Sequence, residues 1–293
     1  MRNHRLPDTY AQTIQQWFIP LAEKMLSSKQ PNAPLYIGVN GCQGSGKSTL
    51  SDFLACYFQD EKGLSAAVMS LDDFYFDIPT RESLAQSVHP LLRVRGVPGT
   101  HNTKLMSSVL RQLKTASHSN TDLNIRLPRF NKAHDNPHPE SEWPVMQQAV
   151  DVVIMEGWCW GVRSQPICEL DAAVNSLESE RDAEGKWRQH VNDALKAEYE
   201  PLYELMDEWV MLQAPSFEQV FQWRCEQEHK LADSLAAKGE TAANKVMSDA
   251  QVLEFIQYYQ RLTEHALATL PAQCQHVFKL DGQRNIVDYH QSS

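Results

Sequence analysis

The sequence lacks the features of a secreted or membrane-spanning protein. Its six cysteines lie far apart and form no CxxC pair, which is typical of a reduced, cytoplasmic protein. It has no apolar run of about 18 residues and no N-terminal apolar stretch of signal-peptide length. Long clusters of Lys and Arg are also missing, and the net charge is −10. We therefore expect a soluble cytoplasmic protein that binds neither membranes nor nucleic acid, either a monomer or a weak homodimer.

A complete phosphate-binding loop follows the apolar run at 35–39. Two glycines bracket four residues, and a lysine and a hydroxyl residue come next, with a predicted strand before and a predicted helix after. Such a loop turns backbone N–H groups toward nucleotide phosphates. We expect Lys47 to reach the β- and γ-phosphates and Ser48 to hold Mg²⁺. The predicted nucleotide-binding residues are Gly41, Cys42, Gln43, Gly44, Ser45, Gly46, Lys47, Ser48 and Thr49.

Strand and helix patterns alternate along the chain, which predicts an α/β protein with a mostly parallel sheet flanked by helices. A stripe of apolar residues from Leu6 to Met25 predicts a packing helix, within a segment at 1–30. The rest, 31–293, is predicted to be one domain. The predicted strands are 35–40, 66–71, 149–157, 209–213 and 276–280, and the predicted helices include 47–60, 102–115, 181–206, 216–237 and 249–270.

Two regions of the predicted domain differ from this regular alternation. The region at about 78–148 is polar and rich in turn residues, with a short extended piece at 123–127, and we interpret it as a substrate-side insertion. The segment at about 216–248 is predicted to be a helical lid.

Acidic residues follow two of the predicted strands. Asp72 ends the second strand, at the sheet edge where ligands of open α/β sheets bind, so it is a candidate general base. Asp73 and Tyr75 in the same turn are candidate substrate contacts, although a turn or N-cap role for the aspartates is the alternative. Glu156 ends the strand at 149–157, where we expect it to act with magnesium.

Several cations lie in polar loops or in the predicted lid. Arg95 and His101 share a turn-rich loop that is suited to clamping a carboxylate, and Arg129 and Lys132 lie in a second loop. The alternative for each is a solvated surface cation. Arg224, the only arginine between Phe217 and Ala237, is the candidate cation that reaches the γ-phosphate, unless it simply pairs with Glu226 or Glu228.

Taken in order, these motifs resemble the plant-type glycerate kinases and their bacterial and fungal relatives. This family belongs to the phosphoribulokinase, uridine kinase and pantothenate kinase group of P-loop kinases. The resemblance covers about 35–282, through GxxxxGKS, DDFY, RGVPGTHN, PRFNKA, VVIMEGW, FQWRCEQEHKL and MSDAQVLEFIQYYQ. It implies the P-loop NTPase fold, ATP and Mg²⁺ as cofactors, Asp72 as the catalytic base and Glu156 as the Walker B acid. It further implies Arg224 as the lid arginine and an acceptor site near Arg95 to His101.

The expected reaction is ATP-dependent phosphorylation of a hydroxyl on a small organic acid, D-glycerate to 3-phosphoglycerate above all. Catalysis is assigned to Asp72, Lys47 and Arg224. The alternatives are a pantothenate- or uridine-type kinase and a nucleotide-binding regulatory ATPase. Two departures from the family concern the acceptor and the lid: no further arginine follows the lid helix, and 168–190 is an acidic insertion. The substrate-binding candidates are Asp73, Tyr75, Arg95, His101, Arg129 and Lys132.

Overall fold

A six-stranded sheet forms the centre of the computed structural model, which describes residues 10–116, 122–237 and 246–291. Its strands are β1 (Leu35–Gly41), β2 (Ala66–Ser70), β3 (Val152–Gly157), β4 (Glu208–Gln213), β5 (His276–Leu280) and β6 (Ile286–Gln291). Their order in the sheet is β6-β5-β4-β1-β3-β2, and only β6 is antiparallel to its neighbour. The predicted mostly parallel sheet flanked by helices is confirmed, whereas β6 was not predicted.

The central strands are covered on both faces. Every residue of β1 and β3 is buried, as expected for parallel strands between two helical layers. Successive side chains alternate between two apolar clusters: Leu35 and Ile37 pack in one, and Tyr36 packs in the other. By contrast, β6 is polar and largely exposed at the edge of the sheet, which explains why it carries no strong sequence signal.

The helices form one layer on each face of the sheet. The N-terminal helix comprises Tyr10–Thr13, a π-helical turn Ile14–Phe18, and Ile19–Ser28; the others are α1 (Lys47–Lys62), α2 (Ile78–Ser87), α3 (Thr103–Thr115), α4 (Ser176–Arg181), α5 (Lys186–Ala194) with a π-helical extension Leu195–Tyr199, α6 (Glu200–Tyr203), α7 (Phe217–Ala237) and α8 (Asp249–Thr269). The apolar cluster that contains Leu35 and Ile37 includes side chains from the N-terminal helix and α1, and the cluster that contains Tyr36 includes side chains from α3, α5 and α8. Short 3₁₀ turns lie at Leu71–Phe74, Pro90–Arg93, Glu140–Glu142, Ile167–Leu170 and Leu270–Ala272.

The N-terminal helix packs beside the last hairpin of the chain. Phe18 is buried, and its ring lies 5.6 Å from that of Phe53 and 6.3 Å from that of Phe278. The predicted packing helix is therefore found from Tyr10 onward, and the part at 6–9 lies outside the described residues. Because this helix shares its apolar cluster with α1, it contributes to the same core as the sheet.

The helical segment predicted over about 181–206 is found as a continuous helical run from Lys186 to Tyr203. The chain breaks after α4 because Gly185 adopts a left-handed φ of 74° and the Asp182 carboxylate accepts hydrogen bonds from the N–H groups of Trp187 and Arg188. Such side-chain acceptors cap the start of the next helix, α5. The acidic insertion at 168–190 therefore contains the short helix α4 and the first residues of α5.

The insertion at 78–148 contains more regular structure than predicted. It includes α2, which was not predicted, as well as α3, and the expected extended piece is reduced to Ile125–Arg126, paired with Val145–Met146. A second small ribbon pairs Phe130–Asn131 with Asn136–Pro137. Of the predicted lid, 238–245 lies outside the described residues. None of the described helices has the length and apolar character needed to cross a bilayer.

Candidate active site

The phosphate loop joins the end of β1 to the start of α1. Gly44 and Gly46 have φ values of 79° and 95°, a left-handed conformation that favours glycine. Gly44 also has no room for a side chain, since a Cβ there would lie 2.9 Å from the Cβ of Trp223 on α7. The loop thus has the backbone needed to surround phosphate groups, and it contains all nine predicted nucleotide-binding residues.

Ser48 and Glu156 meet beside this loop because β1 and β3 are neighbouring strands. The Ser48 hydroxyl donates to Glu156 Oε1 at 2.8 Å. The second carboxylate oxygen, Oε2, lies 3.8 Å from Lys47 Nζ and accepts no hydrogen bond from a described residue. Glu156 is only 6% exposed. A hydroxyl and a buried carboxylate with one free oxygen fit the oxygen ligands that Mg²⁺ prefers, with the remaining positions left for water and phosphate. No cluster of three or more His, Cys, Asp or Glu ligands occurs among the described residues.

Asp72 lies in the 3₁₀ turn that follows β2, close to two other predicted residues. Lys132 Nζ lies 2.6 Å from Asp72 Oδ2, and the Tyr75 hydroxyl donates to Oδ1 at 3.0 Å. Burial alone would raise the pKa of Asp72, but the charges of Lys132 and Lys47 outweigh it and hold the pKa below its ordinary value. The carboxylate is therefore ionised at neutral pH and able to accept a proton.

The carboxylate of Asp73, the next residue, has different partners from that of Asp72. Its carboxylate accepts from the backbone N–H of Ser70 at 2.9 Å, in a capping box, and lies 3.4 Å from Arg129. Burial, with contributions from the nearby carboxylates of Asp72 and Glu156, raises the pKa of Asp73. Asp73 lines a separate cavity from Asp72, and Arg129 lines neither. The structure thus separates this pair of predicted substrate contacts from the phosphate loop.

A cavity of about 380 Å³ brings most of the predicted site residues together, and we call it the basic cavity. Four of the side chains that line it are cations, and among the described residues Asp72 is the only carboxylate that lines it. A pocket with this balance favours anionic ligands. The basic cavity is lined by Gln43, Gly44, Lys47, Ser48, Asp72, Tyr75, Arg95, Lys132, Trp158, Arg224, Gln227, Phe255 and Tyr259.

Arg95 and His101 belong to one loop but have different surroundings. Arg95 lines the basic cavity, forms an ion pair with Asp135 and lies 5.5 Å from the ring centre of Phe130. His101 is fully buried, with its ring stacked at 4.4 Å on that of Tyr75. Burial lowers the pKa of His101 to about 3, so at neutral pH the imidazole is uncharged. His101 therefore supports Tyr75 from behind and carries no charge toward a ligand.

Arg224 reaches the basic cavity from α7. It forms an ion pair with Glu228 one turn along the helix, and its guanidinium lies 5.9 Å from the ring centre of Phe255 on α8. Glu228 is itself buried and accepts the backbone N–H of Met247 at 2.8 Å. The pairing that the sequence left as an alternative is thus present, and it holds the guanidinium at the cavity wall.

Three aromatic side chains complete the wall of the basic cavity. Trp158 donates from Nε1 to the carbonyl of Gly96 at 3.1 Å and meets the ring edge of Tyr259 at 4.9 Å. Trp158 is buried and also lines the cavity. Phe255 and Tyr259 were missed as site residues because on the helix α8 they follow ordinary apolar spacing and carry no motif.

Comparisons with known proteins show that this chain is similar to kinases. No family model matches the chain. The uncharacterized kinase mug58 of Schizosaccharomyces pombe is 31% identical over 264 residues, which is 85% of this chain and 89% of that protein. The chloroplastic D-glycerate 3-kinase of Arabidopsis thaliana is 29% identical over 246 residues, covering 82% of this chain but only 49% of the plant protein. The structure of D-glycerate 3-kinase from Cryptococcus neoformans has a TM-score of 0.74 at 26% identity, covering 98% of this chain and 100% of that one.

Proposed function

The chain belongs to the D-glycerate 3-kinase-like family of P-loop kinases, and on that premise we propose that it transfers the γ-phosphoryl group of ATP to a hydroxyl of a small organic acid. The acceptor that we propose is D-glycerate, with 3-phosphoglycerate as the product. Two relatives that bear this activity in their names support the choice.

The observation that carries the proposal is the composition of the basic cavity. Lys47 and Arg224 are the cations expected to act on the phosphates, which leaves Arg95 and Lys132 beside Asp72 for the acceptor. A neutral acceptor such as a nucleoside would leave these two cations without a ligand anion. A carboxylate would add charge-assisted hydrogen bonds to these two cations, whose partners within the chain are Asp135 and Asp72. An acceptor that joins a carboxylate to a nearby hydroxyl matches this cavity best.

In this proposal the residues of the chain supply position and charge, which are the main sources of catalysis in phosphoryl transfer. Asp72 accepts the proton of the attacking hydroxyl, and Lys47 and Arg224 neutralise charge on the transferred group. The loop from Gly41 to Thr49 binds the phosphates. Ser48 and Glu156 would hold Mg²⁺, whose chemistry is to neutralise charge on the phosphate oxygens.

The test measures product directly. The protein is incubated with ATP, Mg²⁺ and one acceptor at a time: D-glycerate, L-glycerate, pantothenate or uridine. Mass spectrometry and ³¹P NMR then detect any phosphorylated acceptor. We expect 3-phosphoglycerate from D-glycerate, and no product from a Lys47→Met control prepared in parallel, which excludes a contaminating kinase.

Other outcomes are equally informative. Phosphorylated pantothenate or uridine in place of 3-phosphoglycerate would reject the proposed acceptor while keeping the kinase chemistry. ATP hydrolysis that no acceptor stimulates would favour a regulatory ATPase instead.

A further inference from the structure

The carboxylate of Asp135 holds Arg95, one of the two cations that we propose for the acceptor. Arg95 Nη1 donates to Asp135 Oδ1, and the guanidinium carbon lies 5.5 Å from the ring centre of Phe130. Among the described residues, Asp135 is the only hydrogen-bond partner of the Arg95 side chain. Because a guanidinium has five N–H donors in a planar fork, this pairing fixes the direction of Arg95 and leaves donors for a ligand anion.

Asp135 lies in the turn of the small ribbon at 130–137. It has a left-handed φ of 53°, a conformation that is uncommon outside glycine but that Asp and Asn adopt more readily than other residues. Lys132, in the same turn, lies 2.6 Å from Asp72. This turn therefore supplies a contact both to the candidate base and to Arg95.

Asp135 is anchored by Arg81 of α2, a residue that is only 3% exposed. Arg81 Nη2 donates to the backbone carbonyl of Asp135 at 2.9 Å and lies 2.9 Å from its carboxylate oxygen Oδ2. The other donors bind two more segments: Nε donates to the carbonyl of Phe76 at 3.1 Å, and Nη1 donates to that of Arg93 at 2.8 Å. A buried charge is costly unless it is paired and hydrogen-bonded, so these contacts constrain the position of the turn.

The Asp135 carboxylate thus bridges two guanidinium groups. Its Oδ2 pairs with the buried Arg81, and its Oδ1 pairs with Arg95, which lines the basic cavity. Neither Arg81 nor Asp135 lines that cavity. Asp135 can therefore affect a ligand there through the position of Arg95 or through the long-range charge of its own carboxylate. For an anionic ligand these two effects have opposite signs.

We propose that Asp135, anchored by Arg81, is a positioning residue that holds the Arg95 guanidinium toward the carboxylate of the acceptor. This inference rests on the proposed function, because that function makes the acceptor an organic acid. A guanidinium that is already fixed loses less conformational entropy on binding an anion than a mobile one does. The affinity for an acidic acceptor thus depends on a carboxylate outside the cavity.

The first test is kinetic and uses Asp135→Asn, which keeps the size of the side chain and suits the left-handed φ. Loss of the negative charge alone would strengthen the binding of an anionic acceptor and lower its KM. Loss of positioning should instead raise the KM for D-glycerate by about tenfold, with kcat within about twofold and the KM for ATP unchanged. Glu82→Gln is the matched control, since Glu82 pairs with the exposed Arg93 at 2.8 Å and neither residue lines the basic cavity.

A double-mutant cycle shows whether Asp135 acts through Arg95. Arg95→Met should itself raise the KM for D-glycerate by about tenfold or more, and adding Asp135→Asn to it should cause no further rise. A lowered or unchanged KM in Asp135→Asn, an equal rise with and without Arg95, or a rise of the same size in Glu82→Gln would each overturn the proposal.

The second test needs no acceptor. In protein labelled with ¹⁵N-arginine, Arg95→Lys identifies the Nε–H signal of Arg95, and the ¹H–¹⁵N NOE of that signal measures the order of the guanidinium. We expect an ordered group in the wild type and in Glu82→Gln, and a mobile one in Asp135→Asn. An equally ordered Arg95 in Asp135→Asn would overturn the proposal. If the wild type does not phosphorylate D-glycerate, the proposed function fails, whereas this test still decides whether Asp135 positions Arg95.

Discussion

The ammonium group of Lys132 lies 2.6 Å from the carboxylate of Asp72, although the two residues belong to segments 60 positions apart. Asp72 lies in the 3₁₀ turn after β2, whereas Lys132 belongs to the insertion at 78–148. Lys132 is 62% exposed, so its ammonium group is accessible to a ligand as well as to Asp72. The pair therefore links the candidate base to the segment that we propose to contact the acceptor.

Replacing Asp72 by Asn should remove the proton acceptor while leaving the phosphate loop intact. We expect Asp72→Asn to lower kcat by about 10²-fold or more, with little change in the KM for ATP. Steady-state kinetics with D-glycerate measures both constants. Asp73→Asn is the matched control, because Asp73 lines a different cavity, and we expect only a small change. Equal losses in the two variants would remove Asp72 from the role of base.

Replacing Lys132 by Met should change the pH dependence of the reaction. The charge of Lys132 helps to lower the pKa of Asp72 against the effect of burial. Without it that pKa rises, so a higher pH is needed to ionise the carboxylate. The acidic limb of the kcat/KM profile should therefore move to higher pH. Lys104→Met, at an exposed position of α3, should leave the limb in place, and an unmoved limb in Lys132→Met would contradict the coupling.

Loss of the Arg224 charge should lower the rate of turnover more than the affinity for ATP. We expect Arg224→Gln to lower kcat by about 10²-fold or more, since a charge that acts on the transferred phosphoryl group is lost. Lys230→Gln, at an exposed position of the same helix, should behave like the wild type. Rapid-quench measurement of a single turnover separates the chemical step from product release. A normal single-turnover rate in Arg224→Gln would show that the arginine serves only its ion pair with Glu228.

A buried ion pair anchors the acidic insertion to α8. Arg261 Nε lies 2.8 Å from Glu178 Oε1, and Glu178 is fully buried. Arg261→Met should lower the free energy of unfolding by about 3–5 kcal/mol, because it leaves a buried charge unpaired. Chemical denaturation measures this change. The double variant with Glu178→Leu should be more stable than Arg261→Met alone.

The exposed pair of Arg181 and Glu254 provides the comparison for that experiment. Its nitrogen and oxygen atoms are 3.8 Å apart, and both side chains are at least half exposed. Arg181→Met should change the free energy of unfolding by less than about 1 kcal/mol. If both arginine variants gave the same small change, the buried pair would contribute no more than a surface pair.

The sequence predicted the fold well where the signal is local. Five of the six strands were predicted because each is a short apolar run, whereas β6 is polar and lies at an edge. The helical segment predicted over about 181–206 is found at 186–203, and it starts later than predicted because Asp182 and Gly185 interrupt a pattern that is otherwise helical. The spacing of apolar residues indicates a helix, but it does not show where a side-chain cap ends one helix and begins another.

For the site as well, the residues of local motifs were predicted, whereas contacts between distant segments were not. Lys47 and Glu156 were predicted from motifs, and the structure places them beside each other. The different directions of Asp72 and Asp73 depend on the capping box with Ser70 and on cations from other segments. Tyr259 lines the basic cavity only because of the way in which α8 packs, so no local pattern could have identified it.

The sequence by itself determined the phosphate loop and the alternation of strands and helices, because these depend on residues within a few positions of each other. Only the tertiary structure decided which cations surround Asp72, that His101 is buried and neutral, and that the N-terminal helix and the β5–β6 hairpin line one cavity beside the phosphate loop. Those features need contacts between distant segments, such as the hydrogen bond from Arg284 to Gly44 across 240 positions. The geometry of such contacts is set by packing of the whole chain.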